Sequence, residues 1–116
     1  MADLTLYGLK TCDTCRKALK ALEAAGRDAA FVDLRADERL PQRLPGWLDS
    51  VGAASLVNTR STTWRGLSEA ERARAETDPA GLLIDHPTLI KRPVIDTADG
   101  AVHVGWTPQT RAALGI

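Results

Sequence analysis

Between Leu4 and Leu34 the chain changes its hydrophobic period twice, and that limits it to few folds. Leu4-Thr5-Leu6-Tyr7-Gly8 reads as a short buried strand, with Gly8 and Lys10-Thr11 supplying the turn that follows. From Asp13 to Ala25 the residues Cys15, Ala18, Leu19, Leu22 and Ala25 return at helical spacing, and Arg16, Lys17, Lys20 and Glu23 fall largely on the other face. Gly26 stands where a helix commonly ends on a left-handed residue. Ala29-Ala30-Phe31-Val32-Asp33-Leu34 is a second strand. Strand, helix and strand over so short a stretch make a βαβ unit, whose two strands run parallel.

The middle of the chain is helical. Pro41 and Pro45 are both acceptable first-turn prolines, so two starts stay open for the helix carrying Trp47, Leu48 and Val51, which Gly52 ends. Ser68-Glu69-Ala70-Glu71 matches a capping box, and Asp78-Pro79 is an N-cap followed by a first-turn proline for the helix with Leu82, Leu83 and Ile84. Pro87 stops that helix at His86. The last third turns to strand period: Val94–Thr97 and Ala101–Val104 flank Ala98-Asp99-Gly100, a hairpin signature. Thr107-Pro108 then caps a final helix that Gly115 closes. The order βα, β, helices, ββα is that of an α/β, thioredoxin-like mixed four-stranded sheet. One domain is expected over residues 1–116, with a helical segment inserted at about 38–90.

Charge excludes some partners. Fifteen basic against fifteen acidic residues leave no net charge, which disfavours direct nucleic-acid binding and a membrane surface. The longest apolar runs, such as Gly81-Leu82-Leu83-Ile84, are too short to span a bilayer. The N-terminal residues run straight into a strand pattern without a leader-like stretch, so a cytoplasmic location is expected.

The chemistry centres on two cysteines, Cys12-Asp13-Thr14-Cys15, placed where a strand gives way to a helix. A helix N-terminus offers unpaired N–H groups and the positive end of the dipole, both of which favour a thiolate. Cys12, at or just before the first helical residue, is then the expected nucleophile. Cys15, one turn in and nearer the core, is the expected resolving thiol, and Lys10 adds a nearby positive charge. A zinc site would need further ligands, and His86 and His103 lack the spacing for one, so no metal is expected. Inert buried thiols are the remaining alternative.

Longer segments carry a resemblance. Leu6-Tyr7-Gly8 leading into Cys12-Asp13-Thr14-Cys15-Arg16-Lys17-Ala18 resembles the active-site segment of the arsenate-reductase-like (ArsC/Spx) family. So do Asn58-Thr59-Arg60-Ser61 with Trp64-Arg65-Gly66-Leu67, and His86-Pro87-Thr88-Leu89-Ile90-Lys91-Arg92-Pro93-Val94-Ile95. The resemblance implies a glutaredoxin-like fold and a nucleophilic cysteine matching Cys12. It implies arginines matching Arg60 and Arg92 that steady an oxyanion or glutathione, and a cis-proline matching Pro93. No bound cofactor is implied, only glutathione or another thiol as reductant.

Two departures from arsenate reductases narrow the substrate. Val104-Gly105-Trp106-Thr107-Pro108 stands where those enzymes carry a third arginine, and Gly8-Leu9 stands in place of a His-Asn pair. Losing a guanidinium removes charge-assisted hydrogen bonds to arsenate. A glutathione-linked reductase acting on another disulfide or oxidised thiol is the better fit. The same resemblance implies a rival function, because Spx-type regulators share the Cys-x-x-Cys pair and bind RNA polymerase. Gly52 occupies the spacing of a glycine in that contact, although a helix end also accounts for it. The bland readings cover the rest: His86 complements a helix dipole, His103 points to solvent from a strand, and Trp47, Trp64 and Trp106 are packing residues.

Overall fold

A computed structural model describes residues 4–116, and the chain divides into two compact units. One comprises the chain up to Ala36 together with Arg92–Ile116; the other is Asp37–Lys91.

The first unit holds strands β1 (Leu4–Gly8) and β2 (Ala29–Asp33) with helix α1 (Asp13–Ala24) between them. β1 pairs in parallel with β2, Leu6 opposite Phe31. On its other edge β1 pairs antiparallel with β3 (Val94–Thr97), Leu6 opposite Ile95, and β3 pairs antiparallel with β4 (Val102–Val104). The order β2-β1-β3-β4 is the thioredoxin-like mixed sheet that the sequence pattern anticipates. Ala101 falls just outside β4, whose three residues are all half-buried rather than alternating.

α1 forms because its apolar positions fall on one side: Cys15, Ala18 and Leu22 are buried together with Leu4, Leu6, Ile95 and Leu114. Burying a leucine of this kind contributes about 2 kcal/mol. The helix ends where Gly26 takes φ 77°. The Gly26 amide donates to Glu23 at 3.0 Å and the Arg27 amide to Leu22 at 2.9 Å, the paired bonds of a Schellman ending.

The second unit is helical: α2 (Leu40–Val51), α3 (Ala53–Leu56), α4 (Thr62–Arg65), α5 (Glu69–Thr77), α6 (Pro79–Asp85) and a 3₁₀ turn at Pro87–Leu89. α3, α4 and the 3₁₀ turn are single turns without a readable period, which is why the sequence reading passes over them. Pro41 lies in the first turn of α2, whereas Pro45 lies inside the helix and removes a ladder donor. Leu40, Leu44 and Trp47 point inward from α2 and share the buried set with Leu56, Leu82, Leu83 and Leu89. An antiparallel bridge joins Val57 to Ile90.

The capping box at Ser68 is only half made. The Ser68 hydroxyl accepts from the Glu71 amide at 3.2 Å, but the Glu71 carboxylate turns away to Arg74 at 3.3 Å and His86 Nε2 at 3.0 Å. His86 therefore serves as a side-chain partner, a role beyond the dipole complement expected of it. No helix of the described residues is long and apolar enough to cross a membrane. α7 (Pro108–Ala113) closes the chain, capped by Thr107, whose hydroxyl accepts from the Thr110 amide at 3.1 Å.

Candidate active site

Cys12 is the N-cap of α1, in an extended conformation (φ −82°, ψ 117°). Its amide donates to the Leu9 carbonyl at 3.1 Å, and its own carbonyl accepts the first helical bond, from Arg16, at 3.1 Å. The thiol is half-buried, while Cys15 is completely buried at the third helical position. Both cysteines are free.

What lets Cys15 sit there is Gly8. The glycine belongs to β1 rather than to the following turn, and a methyl group on it would collide with the Cys15 sulfur and come within 3.2 Å of Cys15 Cβ. The sequence pattern gives Gly8 both the end of the strand and part of the turn. Its actual service is to let helix and strand approach closely, and a glycine one strand ahead of a Cys-x-x-Cys pair is the signal that could have shown it.

The two thiols are tuned in opposite directions. Burial pushes Cys12 up, but donation from the Cys15 amide and thiol, a hydrogen bond from Arg92 and the Arg92 charge together outweigh it. The net position is below the ordinary thiol value of 9.0. Burial pushes Cys15 up to about 11, helped by the neighbouring Cys12 sulfur and opposed by the Leu9 amide and the Arg92 charge. The pair therefore presents one half-buried sulfur inclined to ionise and one covered sulfur inclined to keep its proton.

Arg92 is half-buried and comes from the residue just before Pro93, ahead of β3; the Arg92–Pro93 peptide is cis. The Pro93 carbonyl accepts from the Gly105 amide at 2.8 Å, so the turn before β3 is tied to the end of β4. Cys12, Cys15, Arg92 and Pro93 all belong to the first unit. Lys10 is exposed on the turn before α1. Arg60 belongs to the Asp37–Lys91 unit, exposed on a turn where its amide donates to Asn58 Oδ1 at 3.1 Å.

The tryptophans serve packing. Trp47 is buried, Trp64 lies under the Arg72 guanidinium at 5.8 Å, and Trp106 packs on the first unit's core with Arg111 above it at 5.8 Å. His103 is half-buried, lining a small recess with Arg27, Asp99 and Leu114 instead of pointing freely to solvent. Among the described residues no group of three or more His, Cys, Asp or Glu side chains is placed to hold a metal ion.

Comparison with known proteins extends this picture. The sequence profile of the ArsC family matches residues 7–114. An uncharacterised protein of Haemophilus influenzae is 39% identical over 104 residues, covering 89% of this chain and 90% of that protein. The solved structure of the YffB (PA3664) protein superposes with a TM-score of 0.85 at 34% identity, over 95% of this chain and 96% of that one. Two more distant relatives carry different functions in their names. The global transcriptional regulator Spx 2 of Bacillus anthracis is 27% identical over 79% of this chain and 72% of its own length. An arsenate reductase of Yersinia enterocolitica is 24% identical over 86% of this chain and 72% of its own length.

Three outcomes follow from the geometry. Gly8→Ala should cost about 1–3 kcal/mol in urea unfolding through overpacking. Pairing it with Cys15→Ala should recover much of that loss, because the colliding sulfur is gone. Arg92→Gln should move the pH midpoint of Cys12 alkylation by iodoacetamide upward, since a donor and a charge that favour the thiolate are both removed. The third concerns alkaline stability: an unfolded chain gives up the Cys15 proton near pH 9.0 while the folded one holds it to about 11. Stability should therefore fall as pH rises through that window, and the difference between the wild type and Cys15→Ala should narrow correspondingly.

Proposed function

The chain belongs to the ArsC family, and on that footing we propose that it is a thiol-dependent reductase with Cys12 as nucleophile. The observation that carries the reading is the asymmetry of the two sulfurs: Cys12 is accessible and favoured as thiolate, Cys15 is covered and favoured as thiol. A nucleophile needs the first property, and a resolving group that waits needs the second.

The proposed cycle begins with the Cys12 thiolate attacking one sulfur of a disulfide. A Cys12–S bond forms, the substrate S–S bond breaks, and the other sulfur leaves as thiolate. Either Cys15 or glutathione then attacks the Cys12 sulfur. If Cys15 does so, its proton passes to the departing thiolate, and the resulting Cys12–Cys15 disulfide is reduced by two equivalents of external thiol. Arg92, whose side chain and charge favour the Cys12 thiolate, steadies negative charge on the attacking and leaving sulfurs. Arg60 and Pro93 enter the proposal through their match to the family's pattern, and Lys10 through its charge on the turn before α1, as groups toward glutathione or an oxyanion substrate. Glutathione is the proposed reductant, and a disulfide or oxidised thiol is preferred over arsenate as substrate.

The similarity to Spx 2 supports a second reading, a redox-sensing regulator that binds RNA polymerase. Gly52 does not favour it, because the backbone takes φ 81° there between α2 and α3 and needs glycine for that reason alone.

A coupled assay with glutathione, glutathione reductase and NADPH tests both. With a small mixed disulfide as substrate, NADPH consumption should be lost in Cys12→Ser and largely retained in Cys15→Ser if glutathione resolves the adduct. Arsenate should turn over more slowly than the disulfide. Absence of turnover alongside a reversible Cys12–Cys15 disulfide would favour the regulator.

A further inference from the structure

Cationic side chains are unevenly distributed on this chain. Of its four lysines, Lys10, Lys17 and Lys20 lie on α1 or the turn before it, all exposed, and none has an acidic partner among the described residues. Many of the arginines are engaged elsewhere: Arg27 on the Leu114 carbonyl at 2.6 Å, Arg43 on Asp37 at 2.7 Å, Arg74 on Asp85 at 2.9 Å. Asp13, the acidic residue in the first turn of α1, is already paired with Arg16. Asp13, Arg16, Lys17 and Lys20 share one helix face and line a shallow recess of about 260 Å³, with Glu23 exposed on the same side one turn beyond Lys20.

Asp13, the first residue of this face, follows directly on Cys12, the N-cap of the same helix. Lys20 lies eight residues beyond Cys12, a span of about 12 Å at the helical rise of about 1.5 Å per residue. Extended polypeptide covers that distance in about four residues. An extended polypeptide running along the helix from Cys12 passes Lys17 and Lys20 together, a longer stretch of the face than a tripeptide thiol spans. A nucleic acid has the charge but no sulfur for Cys12 to attack. We propose that the exposed face of α1 docks an acidic polypeptide that carries the oxidised cysteine on which Cys12 acts. The proposal rests on the thiol-exchange reading above and narrows its substrate to a protein disulfide flanked by Asp or Glu.

The test uses three extended peptides, each with one cysteine in mixed disulfide with thionitrobenzoate and flanked by Glu, by Gln or by Lys. The Cys12 thiolate bonds to the peptide sulfur, the S–S bond breaks, and the coloured thionitrobenzoate anion leaves with the electron pair. At about 10 mM salt, where screening extends over about 30 Å, the Glu peptide should react about tenfold faster than the Lys peptide. The ratio should approach one at about 0.5 M salt, where the Debye length is only a few ångströms. Lys17→Glu/Lys20→Glu, an exposed pair, should abolish or invert the preference while leaving the Gln peptide's rate within about twofold. Equal rates for the three peptides at low salt, or a preference unchanged in the double variant, would overturn the docking proposal while leaving thiol exchange standing. Suppression of the Glu preference by low-micromolar single-stranded oligonucleotide, with tight binding of that oligonucleotide, would assign the face to nucleic acid instead. Failure to release thionitrobenzoate from any peptide, with Cys12 still alkylated by iodoacetamide, would overturn the thiol-exchange reading itself.

Discussion

The site depends on the close seating of Cys15 against Gly8. α1 can lie on β1 at that point only because the strand residue has no side chain for the sulfur to meet. With Cys15 fixed below the surface, Cys12 is held one helical turn away, at the boundary where the helix has not yet begun to pair its amides. The contact is steric and apolar, yet it decides the electrostatics. It places one sulfur among buried side chains and leaves the other half in solvent, so that the same cationic neighbour, Arg92, meets two differently hydrated thiols.

The sheet supplies that neighbour. β1 carries the helix with the cysteines on one side of its sequence and accepts β3 on its free edge. Arg92 arrives because the chain enters β3 directly after it, and the end of β4 holds the intervening turn through Pro93. The helical unit from Asp37 to Lys91 has its own logic. It is built on the Leu40, Leu44 and Trp47 stripe and on an ion network in which Arg74 meets Glu71, Asp78 and Asp85.

Much of the fold was legible because its long elements obey clear periods. The 3.6-residue repeat of Cys15, Ala18 and Leu22 marks α1, and Asp99-Gly100 between two β-rich runs marks the hairpin. Single-turn helices such as Ala53–Leu56 and Thr62–Arg65 have no period to read. The interior proline of α2 was ambiguous because tertiary burial of Leu44 and Trp47 overrides the local cost. At the site, helix-start chemistry pointed to Cys12 from spacing alone. Long-range partners were out of reach: nothing local in Glu71 announces His86, and Gly8 signals a close approach without saying that the Cys15 sulfur makes it. Arg92 stood out only through the resemblance to a family, since an isolated arginine eighty residues from a cysteine gives no local signal.

The separation of Cys12 from Arg92 along the chain also orders events during synthesis. A nascent polypeptide exposes both cysteines long before it contains β3, and the parallel pairing of β1 with β2 can form in that interval. Until β3 joins the edge of β1, the Cys12 sulfur lacks the guanidinium and keeps only the Cys15 amide and thiol among the groups that favour its thiolate. Part of the thiolate character thus arrives with the last strands, after the helix that carries both cysteines has already emerged.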